Sequence, residues 1–145
     1  MAKKHEQLSL SVLEQLDNSG AGYDIIRYIS LPDLLGSETD TLLYFMGKNL
    51  ARKFEISSLG DIIYFFEKSG WGKLELIKEK KHELIFHLLS DAVVQRLQAP
   101  IDATFRLEAG FLAEAIYSLK GMECECIEEI HKKIHQIEFK ILFTN

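Results

Sequence analysis

At 145 residues the chain has the length of one ordinary domain with a single core, and it is read as one domain, 1–145. Apolar residues make up 47% and charged residues 27%, the balance of a soluble globular protein. The net charge of −5 argues against nucleic-acid or anionic-membrane partners, which reward a basic footprint. No apolar run approaches the roughly 20 residues that span a bilayer, and the charged start Met1–Glu6 lacks the apolar stretch of a signal peptide. Two cysteines make no secreted disulfide framework, so the expected location is the cytoplasm.

In chain order, Leu8, Val12, Leu13 and Leu16 recur at helical spacing and predict a short helix over Leu8–Leu16. Asn18–Gly22, with two glycines, predicts a loop. Tyr23–Leu31 is too densely apolar to show a period. Pro32 favours an extended residue before it and can open a helical turn at Asp33–Leu35.

The next helix is clearer. Ser37, Thr39 and Asp40 offer N-cap oxygens, and Leu43, Met46, Gly47, Leu50 and Phe54 form one face. Leu42 and Phe45 remain apolar on its flank, so the helix is expected to touch two things, or a second subunit. Ser58-x-x-Asp61 has the form of a capping box and introduces Ile62–Phe66, a helix apolar nearly all round that stops at Gly70.

Trp71–Lys78 and His82–Leu89 predict a hairpin with a polar turn at Glu79–Lys81. The second strand is apolar on both faces, which predicts a central or doubly covered strand. Ser90–Gln98 reads as helical. Pro100 then interrupts before the segment around which the chain is organised. Within Thr104–Lys120, Phe105, Ala109, Leu112, Ile116 and Leu119 line one helix face. Gly110 sits inside that helix at a cost of about 1 kcal/mol relative to alanine, and close approach of a neighbouring backbone is its expected compensation. Gly121 ends it as a C′ glycine.

With Lys132-Lys133 as the turn, the last hairpin pairs Ile130 with His135, Glu128 with Ile137, Cys126 with Phe139 and Cys124 with Ile141. One face is then Cys, Ile and Phe, and the other carries Glu123, Glu125, Glu129, Gln136, Glu138 and Lys140. The expected fold is α+β: two hairpins forming an antiparallel sheet of about four strands, with helices packed on one face.

Few residues suggest chemistry. Cys124-x-Cys126 and His131-x₃-His135 contain zinc-ligand types, but this register separates Cys126 from His135 by about 13 Å along the strands, against zinc–ligand bonds of about 2 Å. Buried cysteines acting as small hydrophobes are the preferred reading. A disulfide between them is disfavoured, because flanking strand positions hold their Cα atoms near the upper limit of about 6.8 Å. No metal or cofactor is expected. Glu108, bordering the apolar face of the long helix, is either a polar contact in a pocket or a carboxylate paired or tilted to water. His87 reads as a hydrogen-bonded core or interface histidine rather than a general base. Tyr64, Phe65, Phe66, Phe86, Phe105 and Phe111 either line an apolar cavity or fill the core. There is no glycine-rich phosphate loop, H-E-x-x-H or G-x-S-x-G.

Leu43-Tyr-Phe-Met-Gly-Lys-Asn-Leu50, the Ser58–Gly72 helix and turn, and Phe105–Phe143 resemble, in that order, the vinyl reductase domain and the TRAPP vesicle-tethering subunits that share its fold. Glu108-Ala-Gly-Phe-Leu-Ala-Glu-Ala-Ile116, followed by Lys120-Gly121 and the strand pair, is similar to those families' G-F-L-x-G helix and closing hairpin. The similarity covers about residues 40–143, and the whole chain resembles the YslB-type group of uncharacterised bacterial proteins. The resemblance implies a dimer-forming α+β domain that holds a small hydrophobic ligand or docks other proteins. Two departures limit it. The vinyl reductase domain often carries a cysteine about where Glu128–His131 stands here, so that family's proposed metal or redox role does not carry over. The acylated tethering subunits use a cysteine between the second and third helices, whereas Lys48–Gly60 contains none.

The first functional expectation is therefore a non-catalytic homodimeric binding module. Its pocket for a small apolar ligand would lie between sheet and long helix, lined by Phe65, Phe86, Phe105, Glu108, Phe111 and Leu112. The alternative is a homodimeric protein-interaction scaffold with a filled interior. An enzyme is the least supported class, because no acid–base pair or nucleophile site emerges.

Overall fold

Two stretches of alternating apolar residues, separated by more than thirty residues of helix and loop, come together as one sheet. The computed structural model describes residues 7–11 and 20–144. Strands β1 (Lys73–Glu79), β2 (Glu83–Leu89), β3 (Cys124–His131) and β4 (Gln136–Phe143) form an antiparallel sheet in the order β1-β2-β4-β3. The helices are α1 (Ala21–Ile25), α2 (Leu31–Leu35), α3 (Thr39–Arg52), α4 (Leu59–Lys68), α5 (Asp91–Gln98) and α6 (Arg106–Lys120). Among the described residues no helix is long and apolar enough to cross a membrane.

The sheet buries one face, as the alternation predicts. Leu74, Leu84, Phe86, Leu88, Cys124, Cys126, Ile137, Phe139 and Ile141 all point into the core. β2 lies inside the sheet, which accounts for its apolar residues on both sides. A register shift between Leu76 and Lys78 leaves Ile77 exposed.

The closing hairpin slips by two residues from its expected register. The observed pairs are Ile130–Ile137, Glu128–Phe139, Cys126–Ile141 and Cys124–Phe143. The favoured two-residue hairpin turns need positive φ at one or both central positions, which a pair of lysines disfavours. The chain instead uses a 3₁₀ turn, Lys132–Ile134, and a single positive φ of 50° at His135. Because the slip is even, every side chain keeps its expected face.

Helix α6 is buried nearly all round, from Leu107 to Ala113 and at Ala115 and Ile116. It contacts β3 on one side and α3 on the other. Gly121 ends it with a left-handed φ of 70°. The α3–α6 crossing is a backbone-to-backbone contact. A Cβ built on Gly110 would lie 2.8 Å from the Tyr44 carbonyl carbon and closer still to its oxygen. One on Gly47 would lie 2.7 Å from the Phe111 amide nitrogen and nearer again to the Leu107 oxygen. That is the compensation expected for a mid-helix glycine.

Several local expectations change. No side chain caps α3: its start continues from a 3₁₀ turn at Gly36–Glu38, and Thr39 Oγ1 donates to the Gly36 carbonyl instead. The buried stripe of α3 is Thr39, Leu43, Gly47 and Ala51; Met46 is exposed, and Phe54 is buried beyond the helix end. Phe54 pairs as a parallel bridge with Leu8, so the start of the expected Leu8–Leu16 helix is extended. Its part from 12 to 16 lies outside the described residues. Ala21 and Gly22, expected in a loop, begin α1. Leu31, before Pro32, is helical with φ −65° and ψ −45°. A π-helical turn, Ile26–Ser30, allows this, the Leu31 amide bonding to Ile26 O five residues back. The Ser58–Asp61 cap forms with one displacement. Ser58 Oγ accepts from the Asp61 amide at 3.1 Å, but Asp61 accepts from the amide of Ser57 rather than that of Ser58. Ser90 caps α5 through the Val93 amide.

Candidate functional site

The six residues expected to line a pocket converge in the core. Phe65 comes from α4, Phe86 from β2, and Phe105, Glu108, Phe111 and Leu112 from the start and body of α6; all are buried. Two of them, Phe65 and Phe111, belong to a cluster of touching rings. Phe65 stacks on Phe111 with centroids 4.2 Å apart, while Phe54 and Trp71 meet Phe65 edge-on at 5.0 and 5.3 Å. Phe66 is edge-on to Trp71, Phe111 and Phe139. Such pairs contribute about 0.5–1.5 kcal/mol each beyond burial. Among the described residues, cavities of about 360 and 190 Å³ open on the surface, and none of the six residues lines either.

Glu108 is paired. Arg27 Nη1 donates to Glu108 Oε2 at 2.8 Å, and Arg27 Nη2 contacts Oε1 and the Thr104 carbonyl. Burial by itself would lower the Arg27 guanidinium, but the Glu108 carboxylate beside it prevails and holds it above its ordinary range. Arg27 Nε is buried without a hydrogen-bond partner among the described residues. The Tyr28 hydroxyl donates to the same Thr104 carbonyl at 2.8 Å; burial, then the Glu108 charge, raises that phenol. Arg96, also buried, donates to the Trp71 and Gly70 carbonyls and pairs with Asp24 at 3.2 Å. These bonds tie the N-terminal helices to the core. Sequence reading missed both arginines, although a lone Arg27 among isoleucines was the available signal.

The surface beside α3 is different in kind. Its inner stripe is committed to α6, yet Leu42, Phe45 and Met46, spaced at three and four residues on the outer side, stay 39%, 55% and 44% exposed. Next to them the larger cavity is lined by Asp40, Thr41, Tyr44, Phe45 and Arg106. The Arg106 guanidinium lies 4.4 Å from the Tyr44 ring centroid and pairs with Glu128 at 2.8 Å. Burial raises the Glu128 carboxyl above its ordinary value, and Arg106 opposes that rise. Tyr44 also covers the free edge of β3: its hydroxyl accepts the Cys126 amide at 3.0 Å and donates to Glu125, which Lys48 approaches at 3.2 Å. An edge amide is thereby withheld from pairing with another strand.

The cysteines behave as small buried hydrophobes. Both are free, on the inner face. Burial pushes the Cys124 thiol up to about 11 and that of Cys126 well above its ordinary range, so neither supplies a thiolate at neutral pH. His87 sits half-buried on the outer face, its Nε2 3.6 Å from a Glu138 oxygen.

Comparison with known proteins agrees with this architecture. A family described as "Protein of unknown function (DUF2507)" matches residues 20–142. The chain is 36% identical over 135 residues to uncharacterized protein YslB of Bacillus subtilis, covering 93% of this chain and 91% of that one. It is 24% identical over 107 residues to uncharacterized protein MJ1642 of Methanocaldococcus jannaschii, covering 73% and 65% respectively. A crystal structure of a vinyl-4-reductase family protein from Methanocaldococcus jannaschii superposes with a TM-score of 0.67. It is 15% identical and covers 93% of this chain and 88% of that one, a likeness of fold.

Proposed function

This chain belongs to the DUF2507 family and has a vinyl-4-reductase-like fold, and on that basis we propose that it is a non-catalytic interaction module that self-associates through the outer face of α3. The observation that carries this reading is the exposed stripe of Leu42, Phe45 and Met46 beside the Tyr44–Arg106 groove. Aromatic residues, methionine and arginine are the types enriched where proteins meet. The inner face of α3 is already closed against α6 by two glycines, so the outer stripe is surplus to the core.

A second copy suits the face because the chain is acidic where α3 starts, with Glu38 and Asp40, and basic where it ends, with Arg52 and Lys53. Two copies related by a two-fold axis, helices antiparallel, would bring opposite charges together around a self-complementary apolar centre. The alternative, a small apolar ligand between sheet and α6, requires space where the Phe65, Phe111, Phe66 and Trp71 rings now touch.

Light scattering coupled to size exclusion tests the reading. The expected mass is twice 16.6 kDa for the wild type, falling to a single chain for Phe45→Asp with Met46→Asp. A wild-type monomer, or a dimer indifferent to those substitutions, overturns it. Native mass spectrometry of the same sample separates the alternative, since an apolar molecule retained by the purified chain would return the function to the interior.

A further inference from the structure

The face of the sheet turned away from the helices carries a row of ligand-type side chains that neither the core nor the α3 face uses. Register places Glu75, His87, Glu138 and Glu129 side by side across all four strands, Glu75 opposite His87, His87 opposite Glu138, and Glu138 opposite Glu129. His131 follows two residues after Glu129 on the same face of β3. We propose that His87, Glu129, His131 and Glu138 form a site for a divalent first-row transition metal of the zinc type.

Three features of the molecule support it. The ligand atoms of Glu129, His131 and Glu138 already lie within 4.8 Å of one another. His131 Nε2 is 3.7 Å from Glu129 Oε1, and His87 Nε2 is 3.6 Å from Glu138 Oε1. In a tetrahedral zinc site, bonds of about 2.0–2.2 Å hold neighbouring ligand atoms about 3.3–3.6 Å apart. The His–Glu pairs are therefore near the required separation; His87 lies outside the tight group of three and reaches it through Glu138.

The second feature is charge. Carboxylates placed directly opposite on neighbouring strands repel, and Glu129 faces Glu138. Lys140 occupies the next row, between Ile85 and Ile127, rather than the space between the two carboxylates. A divalent ion at that point reverses the repulsion.

The third is ligand chemistry. Two imidazoles with two carboxylates is a set that zinc accepts, and imidazole favours transition metals over calcium or magnesium. The four residues come from β2, β3 and β4, so a bound ion would clamp three strands together, including the edge strand β3. Cys124 and Cys126 have no part in it, because they are buried on the opposite face.

The test uses the full chain, stripped with a chelator and titrated with zinc chloride by calorimetry. One equivalent should bind, with a rise in the thermal midpoint. His87→Asn, His131→Asn and Glu138→Gln should each weaken binding by at least about tenfold, while Cys124→Ser with Cys126→Ser should leave it unchanged. Cobalt(II) in place of zinc gives a readout that needs no variant, and its spectrum should lack a thiolate charge-transfer band. The assignment is overturned by the absence of saturable binding, by a thiolate band, or by stoichiometric binding that survives both His131→Asn and Glu138→Gln.

Discussion

Gly110→Ala probes the contact on which the helical layer depends. Substituting alanine for a mid-helix glycine ordinarily stabilises by about 1 kcal/mol through backbone entropy and helix propensity. Here the new methyl would sit 2.8 Å from the Tyr44 carbonyl carbon and 3.1 Å from its Cα, with the carbonyl oxygen nearer than either. Non-bonded carbon atoms settle at about 3.5–4.0 Å, and all the opposing atoms are backbone, so no rotamer change relieves the clash. The helices must separate, which also loosens Gly47 from Leu107 and Phe111. Overpacking costs typically about 1–3 kcal/mol, occasionally more, and a backbone obstacle belongs at the upper end. Set against the propensity gain, the net expectation is a loss of about 2 kcal/mol. Urea unfolding followed by Trp71 fluorescence measures it, with Gly60→Ala as the control. Gly60 lies in α4, and the nearest atom to a Cβ there is Ser58 Oγ at 3.6 Å, so that change should be neutral or stabilising. A Gly110→Ala protein as stable as the wild type would refute the close-crossing argument.

Three further outcomes follow from the interior. Arg27→Met leaves Glu108 buried and uncompensated, and denaturant unfolding should register a loss of about 3–5 kcal/mol; Arg27→Met with Glu108→Leu should recover most of it, and additivity of the two single losses would contradict the pairing. Thiol labelling reads the cysteines. At pH 8 the folded chain should react far more slowly than the urea-unfolded chain, since burial raises Cys124 to about 11 and Cys126 well above its usual range. The same upward shifts mean that the folded state binds more protons than the unfolded one in alkali, so stability should fall as pH rises through the ordinary thiol value of 9.0. Equal labelling rates in the two states would place the thiols at the surface.

The long helix, its glycine, its C-terminal stop, both hairpins and the separation of sheet faces were all legible in the sequence, because each rests on local periodicity or a single residue's conformational range. Five of the six expected pocket residues share one core, since apolar residues of adjoining elements had to meet there, and Glu108 is buried against Arg27. Which of them touch there, as Phe65 stacks on Phe111, depends on the distances between elements, which no spacing along the chain encodes. Arg27 shows the limit most clearly. Its segment had no readable period because the buried side chains are Arg27 and Tyr28, while Ile25, Ile26 and Ile29 remain exposed. The partner that makes a buried guanidinium tolerable, Glu108, lies 81 residues away. The row of His87, Glu138 and Glu129 was likewise scattered until three strands aligned it. Local propensity and patterning, acting over a few residues, determined the elements and their faces; burial of charge, hairpin register and helix separation depend on groups distant along the chain, so only the tertiary structure decided them.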